Sequence, residues 1–335
     1  MMEVQTLICN AQQQFSLKTF EIPELAPTEI LVRTRYSGVS VGTEFAVIRG
    51  KLDWGPYPLC TGYQAVGVVE QVGAKVRDYQ VGDKVYYCRN YMHMALNGEP
   101  VNTAAGTHCS TAVIDPARAE GIAHLPQGVD EATGSMFVMP SVGFNAVDMA
   151  GVQLGETVVL HGSGLIGLGA LSAARLRGAT TIAVDINPRK LDLARQLGAD
   201  YTINSQAEDL AARMQAICPD GADVVFEATG IPACLDTAFA LCRSHGKFVF
   251  LGNYGNAPIS FHFLVPHVKQ LTAFFPCNDG LAPCRRAVLK NIATGAIPWE
   301  KTISHRVPAA EAPALYEAIN QGQADEVMGA VIKWS

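Results

Sequence analysis

Charge is scarce in this chain, and what there is does not gather. Only 17% of its 335 residues are charged, the formal balance is −6, and Lys and Arg form no cluster. A polyanion needs a basic footprint, so nucleic acid is not an expected partner. Apolar runs are also short: none reaches membrane-spanning length, and MMEVQTLICNAQQQ has no secretory hydrophobic core. A cytoplasmic protein without membrane contact is therefore expected. The nine cysteines form no C-x-x-C pair, which leaves neither a disulfide framework nor a zinc-finger pattern. Repeats and low-complexity tracts are absent too. A hydrophobic content of 49% describes a packed globular chain, and its length suggests about two domains.

The rhythm of the chain changes near residue 141. Before it, EILVRTRYSGVS, AVGVVEQVG and GDKVYYC are short β-type runs broken by glycines at 62, 67, 73 and 82. This pattern predicts a small irregular β-barrel or sandwich. Residues Tyr91 to Thr107 have no clear period and read as a surface loop. After residue 141, strands and helices alternate: VVL, a helix from Leu165 to Gly178, TTIAVD, and RKLDLARQLG with its stop at Gly198. YTIN, a helix over 207–217, DVVFEATG, a helix over 232–243 and GKFVFLGN continue the alternation. Near-continuous apolar strands between helices predict a parallel sheet covered on both faces. A helix over 281–294 leads to VMGAVIKW, a strand that could return to the first domain.

The richest stretch is VVLHGSGLIGLG. Gly162 suits a tight turn, Gly164 lets the backbone approach a pyrophosphate, and Gly167 lets the helix lie close on the sheet. The helix start, at Ser163, Leu165 and Ile166, offers free N–H groups and a positive dipole to phosphates. Glycine spacing alone is weak evidence. Here a strand precedes it, a helix follows, and Asp185 lies 23 residues after Gly162, near the spacing of a ribose-binding acid. Its carboxylate would repel a 2′-phosphate, which favours NAD(H); as the bland alternative it caps the turn before Pro188. Lys190 could bond the same ribose or simply be solvated. Thr229, Gly230 and Gly252 end predicted strands, where open α/β sheets bind ligands, so they could admit the nicotinamide riboside.

YSGVSVGTE, YPLCTGYQAVGVVEQVG, YQVGDKV, MPSVGFNAVDMAGVQLGETVVLHGSGLIGLGA and AVDINPRKLDLARQLGAD together resemble the medium-chain dehydrogenase/reductases, the superfamily of the zinc alcohol dehydrogenases. The resemblance covers nearly the whole length. It implies an α/β chain with a GroES-like β-barrel catalytic domain over 1–140, completed by 277–335. A Rossmann NAD-binding domain, a doubly wound parallel sheet, would occupy 141–276. A homodimer or homotetramer is implied as well. The departures concern zinc. Where zinc-dependent members place ligands, this chain has Ser40 or Val41, then Tyr63 within Gly62-Tyr63-Gln64, then Met139 before Pro140. None offers thiolate, imidazole or carboxylate. The four-cysteine structural lobe is missing, and the His108–Cys109 pair lacks an evident partner, so no metal is expected. The S-G-x-S-x-G-T-E pattern is similar to a zinc-free branch typified by bacteriochlorophyllide a dehydrogenase, without carrying over its substrate.

Without zinc, another group must stabilise the developing oxyanion or take the proton. The resemblance places Tyr63 at a vacated ligand position, where its phenol could donate a proton or its ring could equally serve as packing of the barrel, and Thr43 at a hydroxyl beside the substrate oxygen. Glu44 matches an acid that orients a ligand and could hold Tyr63 or bond the substrate; Ser40, with space-filling as its bland alternative, and His108, for which a structural role is favoured over catalysis, complete the candidates. The leading expectation is hydride transfer between NAD(H) and a secondary alcohol or ketone. A reductase of a conjugated C=C or C=N bond is the second reading, and an NAD-binding protein without turnover the third.

Overall fold

The computed structural model describes residues 3–103, 105–118 and 121–335, in two compact units. The first holds the residues up to Phe137 with 289–296 and 303–335; the second holds 138–288 and 297–302. Residues 277–288, expected with the first unit, fall in the second, and the division lies inside a helix rather than in a loop.

In the first unit, β1 (Glu3–Cys9) and β2 (Phe15–Glu21) form an antiparallel pair. The main sheet is built on β3 (Ile30–Val39), which leads into the short helix α1 (Thr43–Ile48). β3 runs antiparallel to β4 (Ala65–Val72), and β4 to β5 (Lys84–Tyr87). The Tyr91–Thr107 stretch is not a plain surface loop. It contains the two-residue strands β6 (Ala95–Leu96) and β7 (Glu99–Pro100), and Met92, Met94 and Val101 are buried in the core with Val32, Val69 and Tyr87. An irregular backbone can drop isolated side chains into a core without leaving a period to read; Ala104 lies outside the described residues. β8 (Thr111–Ile114) pairs the first half of β3, β9 (Ile122–His124) pairs β5, and α2 (Glu131–Gly134) follows with Asp130 capping Thr133 N.

The second unit opens with α3 (Val138–Met149), followed by β10 (Thr157–His161), α4 (Leu165–Leu176) and β11 (Thr180–Asp185). Next come α5 (Pro188–Gln196), β12 (Tyr201–Asn204), α6 (Leu210–Ile217) and β13 (Ala222–Glu227). α7 (Leu235–Leu241), β14 (Cys242–Phe250), α8 (Leu264–Val268), β15 (Thr272–Phe274) and α9 (Leu281–Ala293) complete it. α7 is shorter than the expected 232–243, because a 3-10 turn occupies Pro232–Cys234 and Cys242 already begins β14. The six strands are all parallel in the order β12-β11-β10-β13-β14-β15. Runs such as Val158, Val159 and Leu160, or Val224, Val225 and Phe226, are buried throughout, as a sheet covered on both faces requires. The helices start where the chain supplies caps: Asn187 accepts from Arg189 N with Pro188 in the first turn, and Asp209 accepts from Ala212 N.

The chain then returns to the first unit through β16 (Ile303–Pro308), α10 (Ala312–Asn320) and β17 (Gly329–Lys333). β17 is antiparallel to the second half of β3, with Ala330 opposite Val39, and parallel to β16. Seven strands thus make the sheet of this unit. Among the described residues, no helix is long and apolar enough to cross a membrane.

Candidate active site

In the second unit the glycine loop joins β10 to α4, and its three glycines differ in what they tolerate. Gly162 has φ +99°, and a Cβ there would lie 2.9 Å from Thr229 N, so both conformation and space demand glycine. A Cβ on Gly167 would come within 2.5 Å of Gly162 O, which lets α4 close onto the turn. Around Gly164 nothing lies within 4 Å: that side of the loop is open. α4 has no side-chain cap, so its first N–H groups are available to an anion. Ser163 is fully buried and its Oγ has no hydrogen-bond partner. The half-buried Leu165 and Ile166 form the first turn behind it.

Asp185 ends β11 beside this loop. Its Oδ2 accepts from Ser163 N at 2.7 Å and its Oδ1 from Asn187 N at 2.9 Å. It therefore fastens the turn before Pro188 and also points its carboxylate at the glycine loop, with a lone pair on each oxygen left for further donors. Lys190 is half-buried in the first turn of α5. An uncapped helix start, an open glycine, an orphaned hydroxyl and an acid at the next strand end fit a dinucleotide. On the far side of β10, Gly230 (φ +67°) and Gly252 meet so closely that a Cβ on Gly252 would lie 2.3 Å from Gly230 N. Under them is Glu227, a residue with no local sequence signal. It is fully buried and accepts from Thr229 N at 3.0 Å, from the Thr229 hydroxyl, from Gly230 N at 3.3 Å, and from the Tyr254 hydroxyl.

In the first unit, the half-buried Tyr63 hydroxyl is hydrogen-bonded to the side chains of Ser40 and Thr43. Burial pushes its phenol up to about 12 against these two bonds, helped by the charge of Glu44. Trp54 stands edge-on to the ring, with centroids 6.0 Å apart. Ser40 is more than filler: its Oγ also meets Thr43 N at 3.4 Å, and its N–H donates to Glu44 Oε1 at 2.8 Å. Thr43, at the start of α1, is partly exposed.

Glu44 and His108 do not do what the sequence reading assigned them. Both are 0% exposed, so neither can touch a substrate as placed. Glu44 does not hold Tyr63 by a hydrogen bond; its Oε2 accepts from His108 Nε2 at 2.9 Å and from the Tyr316 hydroxyl at 2.8 Å. His108 Nδ1 meets Ser37 Oγ at 2.8 Å, and Trp334 Nε1 donates to the same Ser37 oxygen at 2.8 Å. Burial pushes the Glu44 carboxyl up, but the imidazole of His108 and the bonds from His108, Ser40 and Tyr316 outweigh it and hold the group below its usual range. Nor is Cys109 a thiolate ligand: burial pushes it up to about 12, and it bonds Gly106 O and Asn90. Among the described residues, no group of three or more His, Cys, Asp and Glu is arranged to hold a metal ion.

The chain matches the model of the alcohol dehydrogenase GroES-like domain over residues 26–127 and that of the zinc-binding dehydrogenases over 166–290. It belongs to the medium-chain dehydrogenase/reductase superfamily. Similar curated proteins include a D-xylulose reductase of Scheffersomyces stipitis, 28% identical over 95% of this chain and 96% of that one. A sorbitol dehydrogenase of Gallus gallus is 27% identical over 93% and 92%. Among solved structures, a dehydrogenase of Sinorhizobium meliloti 1021 bound to NADP superposes with a TM-score of 0.84 at 23% identity, over 99% of this chain and 100% of that one. This medium-chain dehydrogenase is accordingly α/β, with a GroES-like unit and a Rossmann unit. It is an oxidoreductase of the alcohol dehydrogenase type that takes a nicotinamide dinucleotide.

Met139 lies in the first turn of α3, nearly buried. Its neighbour Pro140 packs on Gly169: a Cβ there would be 2.5 Å from Pro140 Cα. The M-P-S-V-G element thus fastens α3 to α4.

Proposed function

We propose that this chain is a zinc-independent dehydrogenase that uses NAD(H) to interconvert a secondary alcohol and a ketone, with a polyol or ketose as the substrate class. The observation that carries it is the Tyr63 phenol, bonded to Ser40 and Thr43 at a position where zinc-dependent relatives place a ligand. The names of the D-xylulose reductase and sorbitol dehydrogenase relatives support the substrate class. Ser40, Tyr63 and Met139 are not a donor set for Zn²⁺, which takes thiolate, imidazole or carboxylate. No step is therefore routed through a metal. Asp185 favours NAD(H), because a 2′-phosphate would meet its carboxylate.

In this reading Gly162, Ser163, Gly164, Leu165, Ile166 and Gly167 cradle the pyrophosphate on the start of α4. Asp185 and Lys190 take the ribose hydroxyls, and Thr229, Gly230 and Gly252 admit the nicotinamide end. The dinucleotide, when bound, supplies or accepts the hydride. Tyr63 stays neutral at physiological pH and donates a proton to the ketone oxygen during reduction. The partly exposed Thr43 hydroxyl replaces that proton from solvent, and Ser40 fixes the orientation of both. In the oxidative direction the proton leaves along the same hydroxyls.

The reading includes a cytoplasmic homo-oligomer, a dimer or tetramer. β15 is an edge strand, and Phe275 just beyond it, with Phe263, Leu264 and Val268 before it, is exposed. Light scattering on the purified chain tests this part.

The test of the whole is a metal assay joined to a turnover screen over polyols, secondary alcohols, ketones, enones and imines. Oxidation of polyols with NAD⁺ by protein free of stoichiometric zinc is the expected result. Stoichiometric zinc overturns the metal-free reading, and reduction of activated C=C or C=N bonds alone overturns the substrate class.

A further inference from the structure

The order of the parallel sheet reverses between β10 and β13: from β10 the chain winds outward through β11 and β12, then crosses back to β13, β14 and β15. Ligands of such sheets lie in the crevice outside the carboxyl ends of the strands at this reversal. The last residues of the two flanking strands are His161 and Glu227, paired in register, with Nδ1 and Oε1 3.6 Å apart. That separation is too long for a hydrogen bond and short for an electrostatic contact. His161 Nδ1 has no hydrogen-bond partner, although the residue is only 7% exposed. From β14 and the turn after it, the Tyr254 hydroxyl reaches the same carboxylate. Gly252 lies directly over it, since a Cβ there would be 3.1 Å from Glu227 Oε2.

We propose that Glu227, flanked by His161 and Tyr254, sets this protein's preference between the oxidised and the reduced dinucleotide. The inference rests on the dinucleotide site proposed above. The two forms of the cofactor differ in charge at one place, the nicotinamide ring, which is cationic when oxidised and neutral when reduced. A buried anion beneath the crevice stabilises the cationic form and leaves the neutral form nearly untouched, because little solvent screens it. Glu227 has the environment of such an anion. Burial pushes its carboxyl up, but the neighbouring His161 imidazole and the bonds from Thr229 and Tyr254 prevail and hold it below the usual range. Tyr254 is pushed up in turn by burial and by that carboxylate, so it remains a donor that partly neutralises it. Glu227 is thus a specificity-determining group that acts through its field, and its bonds to Thr229 and Gly230 fix the distance over which the field acts.

The experiment measures dissociation constants of NAD⁺ and NADH by titration calorimetry and NADH fluorescence on the full chain. If the unaltered protein binds only the phosphorylated pair, NADP⁺ and NADPH are used, since the ring is the same. Glu227→Gln keeps size and most hydrogen bonds and removes the charge. It should weaken NAD⁺ about tenfold more than NADH. Tyr254→Phe strips a donor from the carboxylate and should move the ratio the other way, toward NAD⁺, by about threefold. This second variant carries the test if Glu227→Gln does not fold. Equal loss of both forms in Glu227→Gln, or an unchanged ratio in Tyr254→Phe, overturns the proposal and leaves Glu227 as a support for the Thr229–Gly230 turn. Failure of the unaltered protein to bind any dinucleotide overturns the site itself, a distinguishable outcome.

Discussion

The hydroxyl of Tyr316 donates to Oε2 of Glu44 at 2.8 Å, joining α10 to α1 across 272 residues of chain. Through Glu44 Oε1 and the Ser40 N–H the connection reaches the loop that bonds the Tyr63 hydroxyl. Both partners are fully buried, so water cannot replace either. A buried acceptor deprived of its donor costs about 1–3 kcal/mol. Tyr316→Phe should therefore lower unfolding stability by about that amount in urea titrations. An unchanged midpoint would mean that the site relaxes around the lost hydroxyl.

Acid should act on the same network. Glu44 is held below its ordinary 4.5 in the folded chain, so the unfolded chain binds this proton more tightly. Its contribution is complete above about pH 4.5 and is lost as the pH falls through the lower folded value. Stability measured between pH 7 and 3 should fall along an acid limb, and Glu44→Gln should flatten part of that limb while lowering the plateau at neutral pH. Parallel curves for the two proteins would remove Glu44 from the acid response.

Tyr63→Phe should reduce turnover by about 10²- to 10⁴-fold, the usual worth of a positioned acid or base, with NADH affinity within about twofold of the original. Because the phenol is pushed up to about 12, ketone reduction should be level across neutral pH. Alcohol oxidation should climb through the alkaline range, and that climb should vanish in the variant. Full activity in Tyr63→Phe would return the ring to packing against Trp54.

Gly164 and Gly167, three residues apart, separate binding from folding. Gly164→Ala fills open space and should keep the melting temperature while weakening NADH at least about tenfold, as the backbone can no longer approach a pyrophosphate. Gly167→Ala drives a methyl into Gly162 O and should destabilise the fold by about 1–3 kcal/mol. Thermal melts and NADH titrations on both variants check the contrast; equal effects would contradict it.

Asp185→Ala should weaken NADH about ten- to hundredfold, the worth of one or two charge-assisted hydrogen bonds. The variant also frees Ser163 N and Asn187 N, so Asp185→Asn is the control that separates lost charge from a loosened turn. Unchanged NADH affinity in Asp185→Ala would withdraw the ribose assignment.

The β10–loop–α4 passage was legible because its information is local: strand, turn and helix start are consecutive, although the Thr229 that crowds Gly162 comes from a distant strand end. Asp185 was legible for the same reason, being one β-α unit away. Glu227, Tyr254 and His161 were not, since only the sheet order brings three strand ends together. Ser37 and Tyr316 escaped likewise, arriving at His108 from separate elements with no common spacing, as did Trp334, which reaches Ser37. His108 stood open between two roles, because a histidine near a cleft motif and a histidine sealed in a core look the same in one dimension. Met92, Met94 and Val101 hid for a different reason: they fill a core from a backbone that has no repeat.

The first unit is written in three instalments, the residues up to 137, 289–296 and 303–335, with the second unit's residues between them. β3 lacks a neighbour along half of one edge until Gly329–Lys333 arrives, His108 lacks Tyr316 until α10 is made, and Ser37 lacks its Trp334 donor until residue 334. On a ribosome the Rossmann unit can close while the unit that begins the chain is still waiting. Until then a half-finished sheet edge stands open and Glu44 lacks its Tyr316 donor, which makes the interval between residues 137 and 329 the period when this protein most needs protection from its neighbours.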